Sequence, residues 1–385
     1  MKILFFNYEY PPLGGGAANA TLCILKEYSK IDDLKVDLIT ASLSDKYEIE
    51  KIGENITIHR LPIGKNKSNL HFQSQKDLII YSWKAFLFTK KLTKENKYDL
   101  THSFFSVPCG AVSWWLKMTQ KIPYVISLRG SDVPGYSDRF KFIYFVLKPF
   151  IRMIWKKSSA VVSNSQGLKE LALKTSQNQK VDIIFNGIDI NDFYPEKSIQ
   201  RNDKFIITLG GTRITERKGI NYLIQALSLL VSKYPNIFLR LVGEGNEKEN
   251  LISLTKELKL DNFVEFVGLI PREKIAPYYQ EAKLFVLPSL NEGMSNAMLE
   301  ALATGLPIVA TETGGTTELV EDGINGLIVK MKDSKDLADK IEMIIKDEKL
   351  RVRMGEESRK KAEQMSWENV AKKYYDLYTQ IADKK

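Results

Sequence analysis

No stretch of this sequence approaches the roughly eighteen uninterrupted apolar residues of a membrane-spanning helix, so hydropathy alone gives no span. Cysteine is nearly missing as well. Cys23 and Cys109 form no C-x-x-C and no metal spacing, which argues for a reducing compartment and against a disulfide scaffold. No cluster of His, Cys and Asp stands at ligand spacing, so no metal and no cofactor are expected. The dinucleotide fingerprint G-x-G-x-x-G does not follow the first strand, and repeats and low-complexity segments are absent. A signal peptide is not indicated either. One Lys precedes a short apolar run, Ile3 to Phe6, that ends at Asn7 and Glu9, which is the pattern of a first strand.

The chain is 385 residues long, with 44% hydrophobic and 27% charged residues. That is ordinary for a globular protein and too long for one ordinary core, so two domains are expected. Lys and Arg exceed Asp and Glu by nine. An excess of this sign favours anionic partners such as a nucleotide or a lipid headgroup; nucleic acid is not expected. Apolar strands alternate with amphipathic helices: strands at Lys2–Phe6, Val36–Thr40, Ile56–His59, Leu100–Ser103, Tyr124–Leu128, Ala160–Ser163 and Val181–Ile184, with helices near 17–29, 75–93 and 110–119. This alternation predicts a parallel sheet with helices on both faces, whose ligands sit at the carboxyl ends of the strands. His102, Arg129, Gly130, Ser131 and Asp132 are expected there, on one rim with Gly14, Gly15 and Gly16. Three glycines at a strand-to-helix turn let backbone approach a diphosphate closely.

The most informative stretch runs from Pro288 to Glu300. The apolar run Leu284–Leu287 before it is a buried strand. A loop carrying Glu292 and Gly293 follows, then Ser295 or Asn296 as N-cap and a helix over 297–303. A helix start offers unpaired N–H groups and a positive dipole end to an anion. Glu292 in the loop and Glu300 on the second helical turn can reach different parts of one ligand. Phosphate at the helix tip with hydroxyls on either side describes a nucleotide sugar.

Glu292-x7-Glu300, with Gly293-Met294-Ser295-Asn296 after the first Glu and Ala303-Thr304-Gly305-Leu306-Pro307 after the second, resembles the retaining glycosyltransferases of family 4. The resemblance extends over nearly the whole chain and is strongest from Asn186 to Val329. It implies the GT-B fold: α/β architecture with two Rossmann-like domains and a ligand cleft between them. The expected organisation is an acceptor-side domain over 1–188, a hinge over 189–203, a nucleotide-sugar-binding domain over 204–365, and a helix over 366–385 that crosses back to the first domain. It implies that Arg213 and Lys218-Gly219 neutralise the donor diphosphate, that Glu300 binds ribose hydroxyls and Glu292 the transferred sugar. Gly243 would lie beside the nucleotide, and Gly293, Met294 and Ser295 would add backbone donors. Gly15 and Gly16 would face the diphosphate from the first domain.

Two segments depart from the family pattern. Asp99–Pro108 matches one that carries a His-x-His pair, but only His102 is present and Phe104 takes the second place. Ser127–Pro134 matches one with His where this chain has Arg129. An Arg cannot act as a base at neutral pH, though it can hold a carboxylate or phosphate. His102 and Arg129 are nevertheless expected at the catalytic centre, with Arg129 and Asp132 on the acceptor side.

The resemblance implies a metal-independent retaining hexosyltransferase that moves a sugar from a UDP- or GDP-linked donor to a glycan or lipid-linked acceptor, in envelope polysaccharide, lipopolysaccharide or glycolipid synthesis. A GT-B epimerase or phosphorylase, or a non-catalytic membrane-docked subunit, are the alternatives. The first would need paired acid–base groups and the second a cofactor lysine, and no motif supplies either. Finally, Arg139–Lys157 interleaves aromatic residues with Lys and Arg. This is the chemistry of an interfacial helix on anionic lipid, or equally of a core helix with snorkelling bases. Pro149 is expected to kink or divide it. A cytoplasmic protein, peripheral on the inner face of the membrane, is the expected location.

Overall fold

The computed structural model describes residues 1–65, 70, 73–136, 141–196, 203–292 and 294–384, with the backbone alone at 141, 142 and 212. Arg139, Phe140, Gly293 and the hinge residues 197–202 lie outside the described residues. The chain divides into two compact units, Met1–Asn186 with Trp367–Lys385, and Gly187–Ser366.

The first unit begins β1 (Lys2–Phe6), α1 (Gly16–Tyr28), β2 (Lys35–Ser42), β3 (Glu48–Ile52) and β4 (Ile56–Pro62). It continues α2 (Gln75–Glu95), β5 (Leu100–Phe104), α3 (Cys109–Gln120), β6 (Tyr124–Leu128), α4 (Lys141–Lys157), β7 (Ala160–Ser163), α5 (Gln166–Thr175) and β8 (Asp182–Ile183). The sheet order is β3-β4-β2-β1-β5-β6-β7-β8. All pairs are parallel except β3 with β4. Central strands such as β5 and β6 are buried along their whole length, as double-sided burial requires. β3, by contrast, is exposed at four of its five residues; its Glu-Ile-Glu-Lys-Ile composition gives no apolar run, and sequence pattern did not reveal it. Successive connections run outward from β1 on one side and from β5 on the other, so the strand order reverses between them.

The second unit holds β9 (Phe205–Arg213), α6 (Ile220–Leu230), β10 (Ile237–Glu244), α7 (Lys248–Glu257), β11 (Val264–Gly268), α8 (Ala276–Gln280) and β12 (Leu284–Leu287). α9 (Asn296–Ala303), β13 (Ile308–Thr311), α10 (Thr316–Leu319), β14 (Gly326–Val329), α11 (Ser334–Lys346) and α12 (Glu348–Gln364) complete it. Its order is β11-β10-β9-β12-β13-β14, parallel throughout. Here the reversal falls between β9 and β12. The start of the expected hinge is packed into this unit: Phe193 is buried, and the Arg359 guanidinium donates to the carbonyls of Ile190, Phe193 and Ala303.

Pro149 does not divide α4, which is continuous from Lys141 to Lys157. The bond it forfeits is to the carbonyl of residue 145, and Phe145 is 81% exposed, so water can satisfy that group. Only part of α4 faces outward: Tyr144, Ile151, Ile154 and Trp155 are core, with Trp155 Nε1 donating to Ser106 Oγ at 2.8 Å.

The last helix, α13 (Trp367–Ala382), belongs to the first unit. Trp367, Val370, Ala371, Tyr374 and Tyr378 fall at helical spacing and enter its core. Tyr28 Oη donates to the Ala371 carbonyl at 3.1 Å. Two tyrosines of α13 close a buried polar network: His102 Nδ1 with Tyr378 Oη at 2.6 Å, His102 Nε2 with Ser127 Oγ at 2.7 Å, and Ser127 Oγ with Tyr374 Oη at 2.9 Å. His102 is thus wholly buried in mid-strand, with both ring nitrogens engaged. This corrects the expectation of a rim and catalytic histidine. Tyr378, far away in sequence, and Ser127 take up the two imidazole nitrogens. Burial, and secondarily the charge of Arg129, hold it well below the usual histidine range.

A pH dependence follows. The unfolded chain protonates this ring near pH ~6.5 while the folded one resists, so the unfolded state binds more protons below that value and stability falls as pH falls. The thermal unfolding midpoint of the protein should drop progressively on acidification below about pH 6.5, and His102→Gln should flatten that part of the profile while lowering stability above it. An unchanged slope in the variant would remove His102 as its source.

Candidate functional site

The carboxyl ends of β9 and β12 flank the reversal of strand order in the second unit, where open parallel sheets bind ligands. Three pieces of chain converge there. β9 ends in Gly210, Gly211 and Arg213, the loop after β12 carries Glu292, and α9 carries Glu300. Ser295 is the N-cap of α9, its Oγ accepting from Met298 N at 3.3 Å; of the two expected caps, the serine is used. Met294 and Ser295 thereby stand at the start of an otherwise buried helix.

Glu300 is 4% exposed. Its Oε2 accepts from Tyr279 Oη at 2.8 Å and its Oε1 from Arg272 at 2.9 Å. Burial pushes the carboxyl above its ordinary range, opposed by the Arg272 charge and the Tyr279 hydrogen bond. The two glycines of β9 make this arrangement possible. A Cβ on Gly210 would lie 3.0 Å from the Tyr279 ring, and one on Gly211 would lie 2.9 Å from Glu300 Oε2. Gly211 also holds φ +63°, where a side chain is strained. Around Glu300 opens a cavity of ≈ 240 Å³ lined by Arg213, Gly243, Glu244, Ile270 and Arg272 among others. Arg213 is exposed at its wall. The cavity therefore pairs a buried hydrogen-bond acceptor for hydroxyls with two guanidinium groups for anionic oxygens.

Lys218 and Glu292 form a direct ion pair, both largely buried, with Ser289 Oγ 3.4 Å from the same carboxylate oxygen. The backbone explains how they meet. Glu216–Lys218 is a single 3₁₀ turn capped by Gly219 at φ +63°. A Cβ on Gly219 would stand 2.1 Å from the Pro288 carbonyl oxygen, so only glycine lets the turn lie against the loop after β12. Leu290 N donates to the Arg217 carbonyl at 2.8 Å and ties the two segments. Thr311 Oγ1, from the neighbouring strand, holds the Ser289 carbonyl at 2.5 Å. The residues expected to touch a diphosphate and a sugar thus touch each other.

The structure brings together Arg213, Gly243 and Glu300 around one cavity, and Lys218 with Glu292. Gly293 lies outside the described residues. Gly15 and Gly16 are exposed at the start of α1 in the first unit, Gly15 as N-cap with no side-chain bond. Asp132, expected on the acceptor side, lines a cavity of the first unit with its carboxylate already engaged. It is 2% exposed and accepts from Ser106 N and Oγ and from the backbone of Arg129 and Gly130, all at 2.8–3.1 Å. Arg129 stacks over Phe104 at 4.6 Å and donates to Asn186 Oδ1 at 2.9 Å. It is held in the first unit by these partners, while its Nε has no hydrogen-bond partner among the described residues. Arg272 and Tyr279 were not found by sequence reasoning. Neither lies in a motif that the family resemblance marks out.

Comparison with known proteins is consistent along the chain. The family model described as "Glycosyl transferases group 1" matches residues 189–361, and that described as "Glycosyltransferase Family 4" matches residues 14–192. An uncharacterized glycosyltransferase of Methanocaldococcus jannaschii is 26% identical, with 100% of this chain and 99% of the relative covered. Among solved structures, sucrose-phosphate synthase from Thermosynechococcus elongatus superposes with a TM-score of 0.80 at 23% identity, covering 100% of both chains. Anabaena HepE in complex with UDP-glucose superposes with a TM-score of 0.71 at 21% identity, covering 99% of this chain and 100% of that one.

The turn geometry makes a sharp prediction. Gly219→Ala should destabilise the second unit by about 1–3 kcal/mol or more, since it combines positive φ with a backbone clash. Calorimetric unfolding checks it, and an unaltered midpoint would mean that the turn does not lie against Pro288.

Proposed function

Since the chain belongs to the glycosyl transferases group 1 family and has the GT-B fold, we propose that this glycosyltransferase moves a sugar from a nucleotide donor to an acceptor hydroxyl with anomeric configuration retained and without a metal. The observation that carries the reading is that Arg213 and buried Glu300 line one cavity while the Lys218–Glu292 pair lies on the segments that follow the same two strands, β9 and β12. Glu300, oriented by Tyr279, accepts hydrogen bonds from ribose hydroxyls. Arg213 and Lys218 receive the diphosphate, where fixed cations stabilise the charge that develops on the leaving group. When phosphate takes Lys218, Glu292 is released to bind hydroxyls of the transferred sugar. The N–H groups at the start of α9 add to the anion site. The acceptor oxygen attacks the anomeric carbon on the face from which the diphosphate departs; the carbon–oxygen bond to phosphate breaks, and the acceptor proton passes to the departing phosphate oxygen.

UDP-glucose in the structural neighbour HepE makes a uridine nucleotide the first donor to test, with a guanosine one as the other candidate, and we infer a glycan or lipid-linked hydroxyl as the acceptor. Among the described residues no helix is long and apolar enough to cross a membrane. A peripheral position on the inner membrane face fits the bases of α4.

Two measurements test this. Lys218→Ala should lower transfer by roughly two orders of magnitude or more, as loss of one transition-state charge does, while the variant remains folded by circular dichroism; near-normal turnover removes Lys218 from the reaction. Calorimetric titration with UDP and GDP separates the carboxylates. Glu300→Ala should weaken nucleotide binding, and Tyr279→Phe should do so by up to about tenfold, whereas Glu292→Ala should bind nucleotide normally and fail in transfer. Equal loss of binding in the Glu292 and Glu300 variants contradicts the division of roles. Product analysis that finds an epimerised nucleotide sugar instead of transfer would overturn the reading itself.

A further inference from the structure

A second cavity, of ≈ 530 Å³, lies wholly within the first unit, in the size range of small-molecule sites. It opens above the carboxyl ends of β1, β5 and β6: Tyr8 and Glu9 follow β1, Val107 and Pro108 follow β5, and Ser131 and Asp132 follow β6. This is the point where strand order reverses, the place at which a parallel sheet offers a ligand site. Its two ends differ in chemistry. The floor carries Glu9 and Ser131, with the Asp132 carboxylate beneath them already committed to Ser106 and its own loop. Gln75 and Ser82 add polar groups on the α2 side, while Leu78, Ile79, Ile143 and Leu147 give α2 and α4 an aliphatic face toward the cavity. The apolar surface does not stop at the mouth. Ile79, Trp83 and Leu87 form an exposed i, i+4, i+8 stripe on α2, with Ile79 at 69% and Trp83 at 65%, and Phe145 and Val146 stand out from α4.

We infer that the occupant of this cavity is an amphiphile, with a hydroxyl-bearing head at the floor and a hydrocarbon chain leaving between α2 and α4. A free glycan would leave the aliphatic walls without partners and gain nothing from the exposed stripe. The charge of α4 favours the same class. Lys148 follows the lining residue Leu147, Lys156 and Lys157 lie further along the helix, and α4 has no acidic residue, so its outward side suits anionic lipid headgroups. On the reading proposed above, on which this step rests, the acceptor is then a lipid-linked hydroxyl compound.

The test uses the full chain and alkyl β-glucosides of butyl, octyl and dodecyl length, each below its aggregation concentration, with binding followed calorimetrically in the absence of nucleotide. Burial of the added methylenes should tighten binding on the order of a hundredfold from butyl to octyl. Ala111→Phe, which fills the cavity, and Ile79→Glu, which charges its mouth, should each weaken octyl glucoside at least tenfold and leave UDP binding unchanged. Ile79 is exposed, so that variant is informative even where Ala111→Phe does not fold. Affinity independent of chain length, or octyl binding indifferent to Ile79→Glu and to a folded Ala111→Phe, would overturn the inference. UDP titration of the same samples keeps the two readings apart: loss of nucleotide binding in the unaltered chain would defeat the donor assignment, while the chain-length series would still decide the cavity.

Discussion

The ion pair between Lys218 and Glu292 is the constraint on which the second unit's site depends. Two opposite charges taken largely out of water are tolerable only together, since removing either leaves the other uncompensated. Their meeting requires the 3₁₀ turn of Glu216–Lys218, the glycine that lets it touch the Pro288 carbonyl, and the loop held by Thr311. On the proposed function, a phosphate would meet a lysine already desolvated and already fixed by its partner. It would replace a carboxylate, which would then turn to hydroxyls.

Glu300 is held in a different way. Its oxygens are aimed by one tyrosine and one arginine, and space for them is kept by two glycines at the end of β9. A buried carboxylate with fixed partners loses little freedom when it accepts further hydrogen bonds, so its geometry is set before a ligand arrives. Arg272 is more exposed, with 39% of its side chain accessible, and is the adjustable member of the cluster.

Much of this was legible in the chain itself. Continuous apolar runs marked the central strands, and the spacing of Glu292 and Glu300 about a serine cap marked the site, because these signals are local. Most of the failures concern contacts between residues distant in sequence. His102 is a strand residue whose ring nitrogens are taken by Ser127, 25 residues on, and Tyr378, 276 residues on, so nothing near it announced a buried network. Asp132 looked like a rim carboxylate until the backbone of its own loop and Ser106 were seen to use it. Tyr279 and Arg272 act through a contact that closes only in three dimensions. β3, exposed and charged, has no core face to give it a pattern, and Pro149 sits in α4 where the lost hydrogen bond faces water.

The placement of α13 sets an order of events during synthesis. Residues 367–382 supply Trp367, Tyr374 and Tyr378 to a core whose other members come from the first 186 residues. On the ribosome, the leading portion therefore waits with an open seam along β5 and β6, His102 still lacking Tyr378 and Ser127 still lacking Tyr374, while the entire second unit emerges and can fold. The first unit to be made is the last to be finished. Until α13 emerges, that seam is an apolar surface for chaperones to cover.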